Sequence, residues 1–322
     1  MMTTGDKHAW GQCVAAIGTS VVLSCFDILS IIYMVPVLVF ASVFRDGKRF
    51  VPIAAAGIVA ILVDVLQSRS ALSDAVGRLA VLISVFVPVV LLVSSLVWIA
   101  LEGKGVMRRY VAAVLPGIAF TIVLLVYFSR ASETVKALDA MFSDTFVDLF
   151  KELGSALGGS ASPVDSQLTT IYRMAVMVMG AILVPLVMVL CGLDFWLAMN
   201  FQERNKIDFS MRVADWHLRD DMVWAFLILW LSVAVCSIAK APYLATALAL
   251  NLAGGVSVLY ALQGFAIILF RIRKKHTDYT AGKLFGALLL VIFLLPGLNM
   301  LVVVVLPLMG VTETWILYRK NE

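Results

Sequence analysis

Charge is scarce in this sequence. Asp, Glu, Lys and Arg make up 14% of its 322 residues, against about 25% in a soluble domain. Histidine occurs three times and cysteine four times. Cys13, Cys25, Cys191 and Cys236 each lie in an apolar stretch, and no CxxC spacing occurs. That argues against a disulfide framework and against zinc or iron–sulfur ligation. No GxxxxGK[ST], HExxH or GxSxG pattern occurs, so a nucleotide-hydrolysing loop, a zinc-protease helix and a nucleophile elbow are all missing. His8, His217 and His276 fall outside the apolar segments, which leaves a buried Ser/His pair without its base. Asp27 and Asp64 could meet as an aspartyl pair, but neither has the glycine-rich surroundings of an intramembrane protease. We expect no catalytic residue, no cofactor, no metal and no enzymatic activity.

Apolar side chains are abundant instead. They make up 62% of the chain, and the mean hydropathy is +0.99. These values point to an all-α, polytopic transmembrane helical bundle. The net charge is +4, but the basic residues sit in short runs between apolar segments. Membrane orientation explains them better than nucleic acid does.

Apolar runs predict membrane segments at Gly11–Ile28, Ser30–Phe44, Val51–Leu66, Leu79–Leu101, Tyr110–Phe128, Ile171–Met199, Met222–Ile238 and Thr246–Phe270. The last block, Leu284–Leu317, is split by Pro296-Gly297. The count is about 8–10 segments, some too short to cross a full bilayer alone. Lys7 followed by an apolar run resembles a signal peptide, but the run continues to Phe44. A signal core is about 7–15 residues long, so the run reads as a tight hairpin with a kink at Pro36. Three parts follow. Residues 1–129 form an N-terminal transmembrane half, 130–166 an extracytoplasmic amphipathic helix and flexible loop, and 167–322 a C-terminal transmembrane half.

With ten segments and a cytoplasmic N-terminus, 18 of the 25 basic residues fall on the cytoplasmic side. This satisfies the positive-inside rule. Both termini are therefore expected in the cytoplasm, with the chain in the inner (cytoplasmic) membrane.

Two stretches outside the membrane have their own patterns. Val135, Leu138, Phe142, Phe146, Leu149 and Leu153 recur at steps of three and four, so they form one face of a helix. Ser132 caps its start and Gly154 ends it on this reading. Gly158, Gly159, Ser160 and Ser162 then read as a flexible loop. Phe209, Val213 and Trp216 share a second helical face, either an interfacial anchor or a contact for a cytoplasmic partner.

Ionisable groups in hydrocarbon are costly and mark function. Asp27 and Asp64 fall near the outer face, where they could line one outward-facing cavity with Arg69 or Arg173 as counter-charge. Asp194 falls near the inner face, within reach of headgroup water. In the eighth segment Tyr260, Gln263 and Gly264 share a face, and Asn251 projects nearly opposite to Tyr260. These groups serve either helix packing or ligand contact. Ala16-xxx-Ser20 and Ala56-xxx-Ala60 are small-xxx-small pairs. The candidate ligand-binding residues are Asp27, Asp64, Asn251 and Gln263.

Several of these features together resemble the YybS-like multi-pass membrane proteins of bacteria. They are the Pro36 hairpin, Phe44-Arg45-Asp46-Gly47, Phe209 and Trp216, and Asn251 with Tyr260, Gln263 and Gly264. Pro296 and Met309-Gly310 before Trp315 and Arg319 complete the pattern. It covers about residues 12–320 and is loose throughout. The family has no established activity. Its segments are similar to the S components of energy-coupling-factor transporters, which bind vitamins or metals and dock on a separate transmembrane and ATPase module. The resemblance implies transport-related small-molecule binding without an ATPase of the chain's own. The partners expected are the lipid bilayer, a membrane or ATPase protein and a small-molecule ligand, with no nucleic acid. The alternative is a non-enzymatic scaffold or assembly protein of the cell envelope.

Overall fold

In a computed structural model the described residues are 4–26, 29–41, 49–130, 132–156, 165–203, 205–295, 297–316 and 318–319. They contain α-helices and short 3₁₀ turns and no strand. The described part of each apolar run is mainly helical. The N-terminal hairpin comprises α1 (Thr4–Ser24), a 3₁₀ turn (Leu29–Ile32) and α2 (Val35–Ala41). Then come α3 (Phe50–Gln67), α4 (Ala75–Ser84), α5 (Phe86–Ala100), α6 (Val106–Ser129) and α7 (Glu133–Ala156). The second half holds α8 (Asp165–Gln202), α9 (Lys206–Ala214), α10 (Met222–Ile238), α11 (Tyr243–Lys275), α12 (Ala281–Leu294) and α13 (Leu298–Thr312).

Four of these helices, α3, α6, α8 and α11, are long and apolar enough to cross a membrane. The pair α4–α5, bent by 41°, passes the same length and hydropathy test only when counted together, as a broken span or a re-entrant loop. The remaining apolar helices are short: Trp10–Ser24, Leu29–Ala41, α10, α12 and α13. At 1.5 Å per residue the 14-residue α12 covers about 21 Å, less than the ~30 Å of a hydrocarbon core. The second segment does not kink at Pro36. It breaks at Tyr33-Met34, and Pro36 sits in the first turn of α2, where its missing N–H costs no hydrogen bond.

One core draws on both halves of the chain, from Ala16 on α1 to Val311 on α13. Small residues set the helix spacing. Ala16, Ser20, Ala56 and Ala60 are all buried, as their spacing predicts. At the α11–α13 crossing, a Cβ on Gly264 would strike the Leu306 carbonyl, and one on Gly310 the Tyr260 carbonyl. At the α8–α11 contact, Gly254 faces the Pro185 ring and Gly255 faces Met188. Tyr110 on α6 donates to the Met188 carbonyl at 2.7 Å, tying α6 to α8.

The two amphipathic stretches both fold onto the bundle. Ser132 Oγ accepts from Val135 N at 3.4 Å, so it caps α7 as its position predicts. The helix runs past Gly154 to Ala156, because nothing in its last turn stops it earlier. Val135 and Leu138 pack on Leu79 of α4, and Tyr172 Oη donates to Asp139 Oδ1 at 2.9 Å. In α9, Asn205 caps the start through Ile207 N and Asp208 N. Phe209, Val213 and Trp216 then turn inward to ring Trp196, with Phe265 and Phe285 closing the group. This face packs on the protein itself, so the contact surface for a cytoplasmic partner that its spacing could also have meant is already covered. Residues 44–47, the loop at 158–162 and Pro296 lie outside the described residues.

Candidate functional site

The structure does not gather the four candidate residues into one cavity. Asp27 lies outside the described residues. Asp64 stands near the C-terminal end of α3, where it accepts from Ser84 Oγ at 3.1 Å at the α4–α5 bend. Its partner is therefore a hydroxyl, not Arg69 or Arg173. Asn251 and Gln263 lie on one helix, about 18 Å apart along its axis. Their faces, about 120° apart by the helical angle, meet different neighbours.

Asn251 is a splice in the backbone of α8. Its Oδ1 accepts from Val184 N at 2.7 Å, and its Nδ2 donates to Gly180 O at 2.6 Å and to Ala247 O at 2.8 Å. Gly180 O and Val184 N are the acceptor and donor of one helical i, i+4 step, immediately before Pro185. Proline clashes with the preceding turn and opens it. The amide of a neighbouring helix satisfies both groups, and both of its N–H donors are taken.

Gln263 belongs to a network at the other end of α11. Its Oε1 accepts from Leu218 N at 3.0 Å, and its Nε2 donates to Glu313 Oε2 at 2.8 Å. Arg319 grips Glu313 with two bonds of 2.6 Å and donates to Ala214 O at 2.7 Å. The network joins the α9–α10 connection, α11 and the residues after α13. Side-chain exposure is 14% for Arg319 and 12% for Glu313, so this pair is shielded from the screening that weakens surface pairs.

Two grooves on the molecule are apolar. One, of about 370 Å³, lies between α7 and α8 and is lined by Phe142, Phe146, Leu149, Tyr172 and Val176. The other, of about 170 Å³, lies between α6, α8 and α11.

The unspent chemistry is elsewhere, on the seam of α5 and α8. Asp194 has no solvent exposure, and neither carboxylate oxygen has a hydrogen-bond partner. Ser94 and Ser95 are equally buried, and their hydroxyls also lack a well-formed bond. The seam is fixed by two contacts one turn apart. Cys191 faces Ser94, and Phe195 stacks on Trp98 with centroids 4.4 Å apart and planes 8° from parallel. Asp194 lies between those contacts on α8. Tyr33, at the break before α2, lies within electrostatic range of Asp194 and donates its own hydroxyl to Pro88 O at 2.8 Å. Arg109 sits 4.0 Å over Trp98, and the ring's other face is taken by Phe195. Its guanidinium donates to Trp98 O at 2.9 and 3.2 Å, which caps the end of α5. Arg109 is thereby committed to Trp98, and among the described residues no group hydrogen-bonds the Asp194 carboxylate.

Sequence reasoning placed Asp194 near headgroup water because it lies within two turns of the expected segment end at Met199. The side chain turns into the bundle. Comparison with family models, with characterised proteins and with solved structures finds no match for this chain.

Proposed function

We propose that this integral membrane protein is a transport-related binder of a small solute, without an ATPase of its own. One observation carries the reading: Asp194, an unpaired carboxylate with no solvent exposure in the middle of a packed bundle. An ionisable group kept at such cost inside a membrane marks a substrate or ion pathway. Interrupted helices surround it, as in carriers that bind their cargo where helices break. The break before α2 reaches Asp194 through Tyr33, and the bent α4–α5 pair contributes α5. The resemblance to YybS-like proteins points the same way and adds a separate ATPase module as partner. On this reading the chain lies in the cytoplasmic membrane with both termini inside.

Native mass spectrometry of the protein in mild detergent tests this. The expected result is a retained small-molecule mass or a co-purifying ATPase module. Envelope proteins alone, with no ligand mass, would favour the scaffold reading. That second reading rests on α7, whose Met141, Phe142, Leu149, Phe150 and Leu153 stay exposed on the outer helix. Deleting residues 134–152 should then abolish complex formation.

A further inference from the structure

Positive charge collects where α11 ends. Residues 271–283 hold five Lys and Arg side chains and one acid, Asp278. Arg273 is committed within the protein: its Nη1 donates to Tyr279 O at 2.7 Å and ties the connection toward α12 to the helix end. Arg271, Lys274 and Lys275 are exposed. They stand at i, i+3 and i+4 on α11, so they share one face, with neighbouring Cβ atoms about 5–6 Å apart. Among the described residues no carboxylate pairs with any of the three, whereas Arg212 pairs with Glu203, Arg219 with Asp221 and Arg319 with Glu313. Like charges at this spacing destabilise a helix. The dipole at the helix C-terminus offsets part of that, but it amounts to about half a charge against three. The face keeps a positive charge that no protein group among the described residues balances.

Its position says which anion it suits. α11 is long and apolar enough to cross a membrane, and Arg271 directly follows Phe270, the last residue of its apolar run. Lys275 lies about 6 Å further along the axis. The polar layer on each side of a hydrocarbon core is roughly 5–8 Å thick, so the three cations span the level of the lipid phosphates. We propose that Arg271, Lys274 and Lys275 bind the phosphate of an anionic phospholipid. The Arg271 guanidinium supplies a fork that fits two phosphate oxygens, and the lysines add point charges. A run of bases directly beyond a membrane helix is the pattern by which anionic lipids are held. The site goes beyond the transport reading and does not depend on it.

The test uses the full chain in a non-ionic detergent, with native mass spectrometry reading the retained lipid. Phosphatidylglycerol should be retained in preference to phosphatidylcholine, and the preference should shrink as salt rises. Arg271→Gln, Lys274→Gln or Lys275→Gln should each weaken phosphatidylglycerol binding about fivefold, and the three together about a hundredfold. Arg219→Gln removes an equal charge from a pair with Asp221 and should leave binding unchanged. The single variants keep the test intact if the triple variant does not fold. Equal retention of the two lipids by the native chain overturns the site. So does unchanged binding in a folded triple variant, or an equal loss in Arg219→Gln. Displacement of the lipid by inorganic phosphate at constant ionic strength would assign the face to a soluble anion and overturn it too. Loss of a co-purifying protein from the triple variant, with the lipid preference unchanged, would make the face a protein contact instead.

Discussion

Asn251 shows how a single side chain can look like a ligand contact and be a backbone part. An amide in an apolar segment satisfies the usual criterion for a binding residue, and the sequence holds nothing to separate that from packing. What decides it is Pro185 on another helix, 66 positions away, whose opened turn takes the amide. Asn251→Leu should leave Val184 N and Gly180 O unpaired in a dry interface. Each orphaned group costs about 1–3 kcal/mol, so we expect a clear drop in thermal stability in detergent. Arg319→Ala breaks a shielded pair and strands Glu313 beside Gln263. A loss of about 3–5 kcal/mol is typical for such a break, and limited proteolysis should then cut first after α13.

At the scale of elements, hydropathy alone located every apolar helix. Met222–Ile238 was read to the residue, because charge stops it abruptly at Asp221 on one side and Lys240 follows soon after on the other. Breaks inside apolar runs were harder to place. The bend between α4 and α5 falls at Val85, three residues before Pro88, whose missing N–H and ring open the preceding turn; that signal is in the sequence, and hydropathy alone passes over it. Helix pairing left a faint trace in small residues. Gly264 and Gly310 prove to be the points of closest backbone approach, yet isolated glycines are common in any membrane helix. Gly264→Leu should force α11 and α13 apart, since the obstacle is the rigid Leu306 carbonyl and not a movable side chain. Overpacking costs about 1–3 kcal/mol at a tolerant site. Here we expect at least that, read as loss of monodisperse protein on gel filtration. Gly286→Leu, at a position open to space, should be silent by the same measure.

For the molecule as a whole, the charge count and the helix lengths make separate statements. On the positive-inside reading proposed above, both ends of the chain lie on one side. The short hairpins α1–α2 and α12–α13 add two segments each, so whether they cross fully or turn back does not alter that parity. Labelling decides between the two. A cysteine at Phe293, near the tip of α12 and 79% exposed, should resist a membrane-impermeant maleimide from either side if the hairpin turns back within the apolar layer. Labelling from the outside would show a full crossing. A cysteine at Lys274 should react only from the cytoplasm. The turn of this hairpin is well satisfied: Asn299 Oδ1 accepts from both Gly297 N and Met300 N, and Gly297 takes a φ of 96° that favours glycine. An apolar wedge of about 21 Å has a consequence for the surrounding lipid. Acyl chains beside it must shorten, tilt or leave a deficit, and each ångström of hydrophobic mismatch costs a fraction of a kcal/mol. The protein should therefore partition toward thin bilayers, and long-chain lipids should strain the very hairpin that ends at Glu313 and Arg319.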